Sequence, residues 1–174
     1  LAYEINRNFN VFASAATGFK ASSWNLSRDT RPFPSDQQAL ETASLTRANQ
    51  SYGTRFAGPE ESTVYELGVK ARFKRGAFNV TLFDQTIEGF QSSIFVGTGF
   101  VLANAGEQST KGIEFDSTFN LTDELVFSFG GTILDPVYDS FVGANGVDGP
   151  VDLSGTQPAG IHERSFVAGL TYNF

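Results

Sequence analysis

The chain has 174 residues, enough for one domain with a sizeable core, and a formal net charge of −7. Its 12 Lys and Arg are scattered, which excludes a nucleic-acid partner, and it has no Cys, which excludes disulfides and thiolate metal sites. No apolar run approaches the roughly 18 residues that a membrane helix needs, whereas 18 Phe and 18 Gly point to many short strands.

The first segment alternates Leu1, Tyr3 and Ile5 with Ala2 and Glu4, and Asn6-Arg7-Asn8 then supplies a tight turn. The next strand, Phe9–Phe19, places Phe9, Val11, Ala13, Ala15 and Phe19 on one face; Phe12 interrupts the polar face opposite. Residues 21–62 hold no period and contain Pro32, Pro34 and Pro59, the composition of a long functional loop. Val64–Phe73 then gives the clearest alternation, with Tyr65, Leu67, Val69, Ala71 and Phe73 apolar and Glu66, Gly68, Lys70 and Arg72 polar or small between them.

After the turn at Lys74–Ala77, Phe78, Val80 and Leu82 continue an apolar phase on which Asp84 and Glu88 also fall. Either the strand leaves its apolar zone near Phe83 or a bulge shifts the register, and both alternatives stand at this point. Residues 91–108 are rich in Gly and Ser, with the turn signal Asn104-Ala105-Gly106. Ile113, Phe115, Ser117, Phe119 and Leu121 alternate with Gly112, Glu114, Asp116, Thr118 and Asn120, and Thr122-Asp123-Glu124 turns the chain into Leu125–Ile133. A polar stretch over 135–160 precedes a last strand, Ser165–Phe174.

All six prolines are expected between strands, because every strand N–H is needed in a sheet paired on both sides. Short connections alternate with the long ones at 21–62, 92–108 and 135–160, which predicts an antiparallel transmembrane β-barrel with short turns at one end and extracellular loops at the other. Glu66, Lys70, Arg72, Glu114 and Asp116 share the non-apolar phase and are candidate lumen-facing residues, while aromatic residues gather near strand ends, as in an interfacial girdle. About six strands and part of a seventh cannot close alone, because single-chain barrels begin at about eight strands and open edges in lipid leave backbone groups unpaired. The chain is therefore expected to be part of a larger barrel.

The runs NRNFNVFASAATGFKASSW, GPEESTVYELGVKARF, FNVTLFDQTIEGFQ and NAGEQSTKGIEFDSTFNLTDEL, with the ending PAGI…FVAGLTYNF, resemble the C-terminal part of the barrel of TonB-dependent outer-membrane receptors. The most specific pieces are Ala16–Lys20, Pro59–Gly68 and Lys111–Glu114. The resemblance implies a barrel of about 22 strands closed by an N-terminal plug, in contact with outer-membrane lipid and energised through TonB. It implies uptake of a scarce nutrient of the iron-chelate, cobalamin or glycan class. Phe174 is expected to be a truncation point, and the plug and the TonB-contacting segment to belong to the rest of the polypeptide.

Catalysis has no support in the sequence: no Ser/His/Asp set can be built around the lone His162, and Glu114 and Asp116 share a phase simply through period two. His162 reads as a surface or lumen residue, residues 135–152 match no Ca²⁺ loop, and Gly97–Phe100 lacks the strand-to-helix context of a phosphate site, so neither metal nor cofactor is expected. In the long first loop, Trp24, Arg28, Arg31, Arg47, Tyr52 and Arg55 combine aromatic faces with guanidinium forks, the chemistry that recognises anionic or chelate ligands; the bland alternative is a solubilising loop. A passive porin-like channel or a structural barrel component of an outer-membrane complex is the runner-up, and a soluble β-sandwich binding module the third possibility.

Overall fold

Each alternating segment forms a strand, and the strands pair in chain order. The computed structural model describes residues 1–24, 32–46, 52–53, 56–96, 99–146 and 149–174. The elements are β1 (Ala2–Asn6), β2 (Phe9–Lys20), β3 (Ser23–Trp24), a 3-10 turn (Pro34–Asp36) leading into α1 (Gln37–Thr42), β4 (Phe56–Ala57) and β5 (Glu60–Phe73). They continue with β6 (Gly76–Glu88), β7 (Gln91–Val96), β8 (Gly99–Asn104), β9 (Glu107–Asn120), β10 (Leu125–Ser140), β11 (Val142–Gly146), β12 (Gly149–Asp152) and β13 (Arg164–Tyr172). One antiparallel seven-stranded sheet runs β1-β2-β5-β6-β9-β10-β13, open at β1 and β13; β3-β4, β7-β8 and β11-β12 are two-stranded ribbons.

The register settles the two alternatives left open for β6. From Gly76 to Glu88 it pairs residue for residue with both β5 and β9, without a bulge, so the strand leaves its apolar zone. Asp84 falls level with Tyr65 and Lys111, and the Lys111 ammonium lies 3.5 Å from its carboxylate. Below that level, Leu67, Leu82, Ile113 and Ile133 form one apolar row and Val69, Val80, Phe115, Gly131 and Phe166 the next.

The hairpin turns are staggered as a barrel requires. Phe9 pairs with Ala71, and β5 runs one outward-pointing position further, to Phe73, before turning. Phe73 pairs with Gly76 and Gly76 with Phe119, and the chain again runs one position further, to Leu121, whose N–H donates to the Leu125 carbonyl at 2.8 Å. Two residues of rise, about 6.8 Å, over two inter-strand spacings of about 4.8 Å give a strand tilt of about 35°. Membrane barrels tilt by about 35–45°.

Glycines are placed where rings from neighbouring strands need room. A Cβ at Gly131 would meet the rings of Phe166 and Phe115, and one at Gly76 would meet Phe119, all on the apolar face. On the other face, a Cβ at Gly68 would enter the ring of Phe12, and one at Gly112 the ring of Phe83. Phe12, which interrupts the polar pattern of β2, is thus seated on its cross-strand partner Gly68.

Three sequence boundaries move. Glu60–Ser62, Glu107–Gln108 and Asp135–Ser140, read as loop, belong to β5, β9 and β10. The proline rule also fails at two places: Pro136 lies within β10, opposite Thr110, and Pro150 within β12. The physical reason at Pro136 is positional. Leu134 and Tyr138 donate their N–H groups away from β9, to the carbonyls of Glu163 and Thr156, and Pro136 shares their phase beyond the last β13 pair at Ile133–Arg164. No strand there asks for an N–H.

Candidate functional site

The sheet presents two faces of opposite chemistry. On the first, rings form three clusters: Phe9–Phe73 at 5.7 Å between centroids with Phe73–Phe78 at 5.9 Å, Phe115–Phe129 at 5.4 Å, and Tyr172–Phe174 at 5.1 Å. Much of this face is bare of protein: Tyr65 is 61% exposed, Leu67 58% and Leu170 65%. An apolar surface this continuous is untenable in water and suits lipid.

Glu66, Lys70, Arg72, Glu114 and Asp116 all lie on the second face, because Lys70 pairs with Asn79 and Asn79 with Asp116, while Gly68, Thr81 and Glu114 form the adjacent row. The Ser14 hydroxyl donates to Glu66 Oε2 at 2.6 Å, and Asn79 Nδ2 reaches both carboxylate oxygens of Asp116, at 2.9 and 3.1 Å. Lys70 Nζ sits 5.2 Å from the centre of the Phe12 ring, a cation–π contact that also explains why an aromatic side chain is tolerated there. The side chains of Arg72 and Glu114 have no hydrogen bond or ion pair among the described residues, although the Arg72 N–H donates to the Asn8 carbonyl at 2.8 Å.

Of the loop residues singled out in the sequence, Trp24 and Tyr52 are described. Trp24 is 61% exposed and pairs across β3-β4 with Phe56, ring centroids 5.2 Å apart. The Tyr52 hydroxyl is buried without a hydrogen-bond partner among the described residues. Arg28, Arg31, Arg47 and Arg55 lie outside the described residues. His162 is exposed, and no group of three or more His, Cys, Asp or Glu among the described residues could hold a metal ion.

Sequence reasoning missed a polar hub where the long connections leave the sheet. Gln91, 6% exposed, donates from Nε2 to the carbonyls of Ala21 (3.1 Å) and Gly58 (2.8 Å). Its Oε1 accepts from the Ser23 hydroxyl at 3.3 Å. The Gln91 N–H donates to Glu60 Oε2 at 3.0 Å, and that carboxylate also pairs with Lys20 at 3.2 Å. Asn104 completes the hub by accepting from the Gly58 N–H at 2.7 Å and donating to the Gly58 and Gly89 carbonyls. Beside it, Phe141, Ala105 and Ala144 form a small core with Phe90, Tyr138 and Leu153. No local pattern announces this hub, since directly bonded partners in it lie up to 70 positions apart.

The sequence profile described as "TonB dependent receptor-like, beta-barrel" matches residues 1–174, the whole chain. The chain belongs to this family of TonB-dependent receptor barrels. Receptors of the family sit in the bacterial outer membrane and are transport proteins. A sequence search of curated proteins gives no match. Among solved structures, the fold is similar to the ferric yersiniabactin uptake receptor FyuA from Yersinia pestis, with a TM-score of 0.65 and 14% identity over 97% of this chain and 21% of that one. It is also similar to the siderophore receptor PirA from Pseudomonas aeruginosa, with a TM-score of 0.57 and 20% identity over 81% of this chain and 28% of that one. The TonB-dependent receptor segment thus spans between about a fifth and somewhat more than a quarter of the length of these structures.

Proposed function

We propose that this segment forms part of the wall of an outer-membrane receptor that imports a ferric chelate of the siderophore type with energy delivered through TonB. The whole-length family match carries the reading, and the two structural neighbours, a ferric yersiniabactin uptake receptor and a siderophore receptor, favour an iron chelate over cobalamin or a glycan. In this reading the apolar face meets lipid, and Glu66, Lys70, Arg72, Glu114 and Asp116 face the lumen and the plug. The ribbons and the connection between β2 and β5 lie outside the cell, where Trp24, Arg28, Arg31, Arg47, Tyr52 and Arg55 contact the ligand. Guanidinium forks and aromatic faces suit the carboxylate and catecholate edges of such chelates.

The test is growth of the source bacterium on defined ferric chelates as sole iron source. The full receptor should support growth on at least one of them, and loss of either the receptor or TonB should abolish it. Uptake that persists without TonB and scales with external concentration would identify a passive channel instead, and growth dependence on cobalamin or a glycan would reassign the nutrient.

A further inference from the structure

We infer that Gln91 is a positioning residue that clasps both ends of the long β2–β5 connection and couples it to the neighbouring β7-β8 ribbon. One side-chain amide carries the clasp, because its two N–H groups are spent on Ala21 and Gly58, the residues where that connection leaves and re-enters the sheet. The β2–β5 ladder ends at Lys20 and Glu60, and the two hydrogen bonds from a third strand hold Ala21 and Gly58 together just beyond it.

Burial makes the arrangement specific. Gln91 is 6% exposed and all its side-chain hydrogen-bonding capacity toward protein is directed at this connection, with Ser23 on Oε1 and both carbonyls on Nε2. The partners are equally committed: Ala57, between Phe56 and Gly58, has no exposed surface, and Asn104 of β8 grips both the N–H and the carbonyl of Gly58. β4 touches β8, and β11 touches β7, so the clasp sits at the foot of three adjoining ribbons. A displacement of the β2–β5 connection is thereby passed to β7-β8 through hydrogen bonds to Gly58 rather than through solvent.

This inference rests on the receptor reading only for its biological use, since the experiment reads the connection itself. In the full receptor reconstituted in lipid, hydrogen–deuterium exchange is compared for wild type, Gln91→Leu and Gln91→Glu. Leu removes all polar capacity, while Glu keeps size and polarity but offers no N–H at neutral pH. Both variants should raise exchange at Ser23, Trp24, Ala57 and Gly58 by about tenfold, with β9 and β10 unchanged. Nitroxide labels at Ser35→Cys and Lys74→Cys should give one narrow distance distribution in wild type and a broad one in both variants. Unchanged exchange and distances would overturn the clasp. So would an equal rise in β9 and β10, which would make Gln91 a general stabiliser, and so would full wild-type behaviour of Gln91→Glu.

Discussion

The short-turn half of the sheet and its opposite end are built on different principles. In the first, the strands carry exposed rings and aliphatic side chains on one face, among them Tyr3, Phe166 and Leu170, and order comes from backbone ladders that run without a bulge from β2 to β13. At the other end the ladders give way to two-stranded ribbons, and there Phe141, Ala105 and Ala144 form a small buried core and Gln91 a saturated polar hub. A half that leaves its apolar face bare relies on a solvent that is itself apolar, whereas a half that gathers its apolar side chains into a core and pairs the buried Gln91 amide is built for water. The row Tyr65, Asp84, Lys111 and Asp135 marks the boundary between them.

The largest effect should come from placing charge on the apolar face. Val80→Arg, in the middle of the belt, should destabilise the folded barrel by about 2–4 kcal/mol in urea titrations of the liposome-inserted receptor, and the neighbouring Thr81→Arg by less than about 1 kcal/mol. Equal costs would erase the distinction between the faces. Next comes the seat of Phe12: Gly68→Ala should cost about 1–3 kcal/mol by overpacking. Most of that loss should vanish in the Phe12→Ala background, as a double-mutant cycle would read.

Weaker still, Asp116→Ala should cost about 1 kcal/mol through loss of the two bonds from Asn79, and adding Asn79→Ala should cost nothing more. The smallest effect belongs to the other half. The Ser154 hydroxyl and N–H hold the Asp152 carboxyl below its ordinary value of 3.8. Its contribution to the turn after β12 is therefore present above that value and fades as pH falls through the lowered one. Amide exchange at Ser154, corrected for intrinsic rate, should rise on acidification in wild type and be insensitive to pH in Asp152→Asn.

The two halves also differed in how much the sequence disclosed. Tyr65 to Phe73 and Ile113 to Leu121 announced their strands because each faces two environments, and that contrast is written locally as period two. The five charged residues of the polar face followed from the same phase. Phe12 stood out as an anomaly that only its partner Gly68 resolves, and Pro136 was misplaced because its tolerance depends on where β13 begins. The ribbons and α1 were unreadable, since their residues see no sharp division between apolar and polar surroundings. Gln91 could not be singled out at all: its partners Ala21 and Gly58 contribute backbone carbonyls, which any residue could supply.

The central claim is that one face of this sheet meets lipid and the other a wet lumen. Nitroxides placed singly at Leu67, Val69, Val80 and Leu82, and at Glu66, Lys70, Thr81 and Asp116, in the full receptor in liposomes report this through collisions with oxygen or a water-soluble nickel chelate. The first set should be accessible to oxygen and shielded from nickel, and the second should show no lipid-phase oxygen exposure, alternating residue by residue along β5 and β6. Absence of that alternation, or its reversal, would contradict the account.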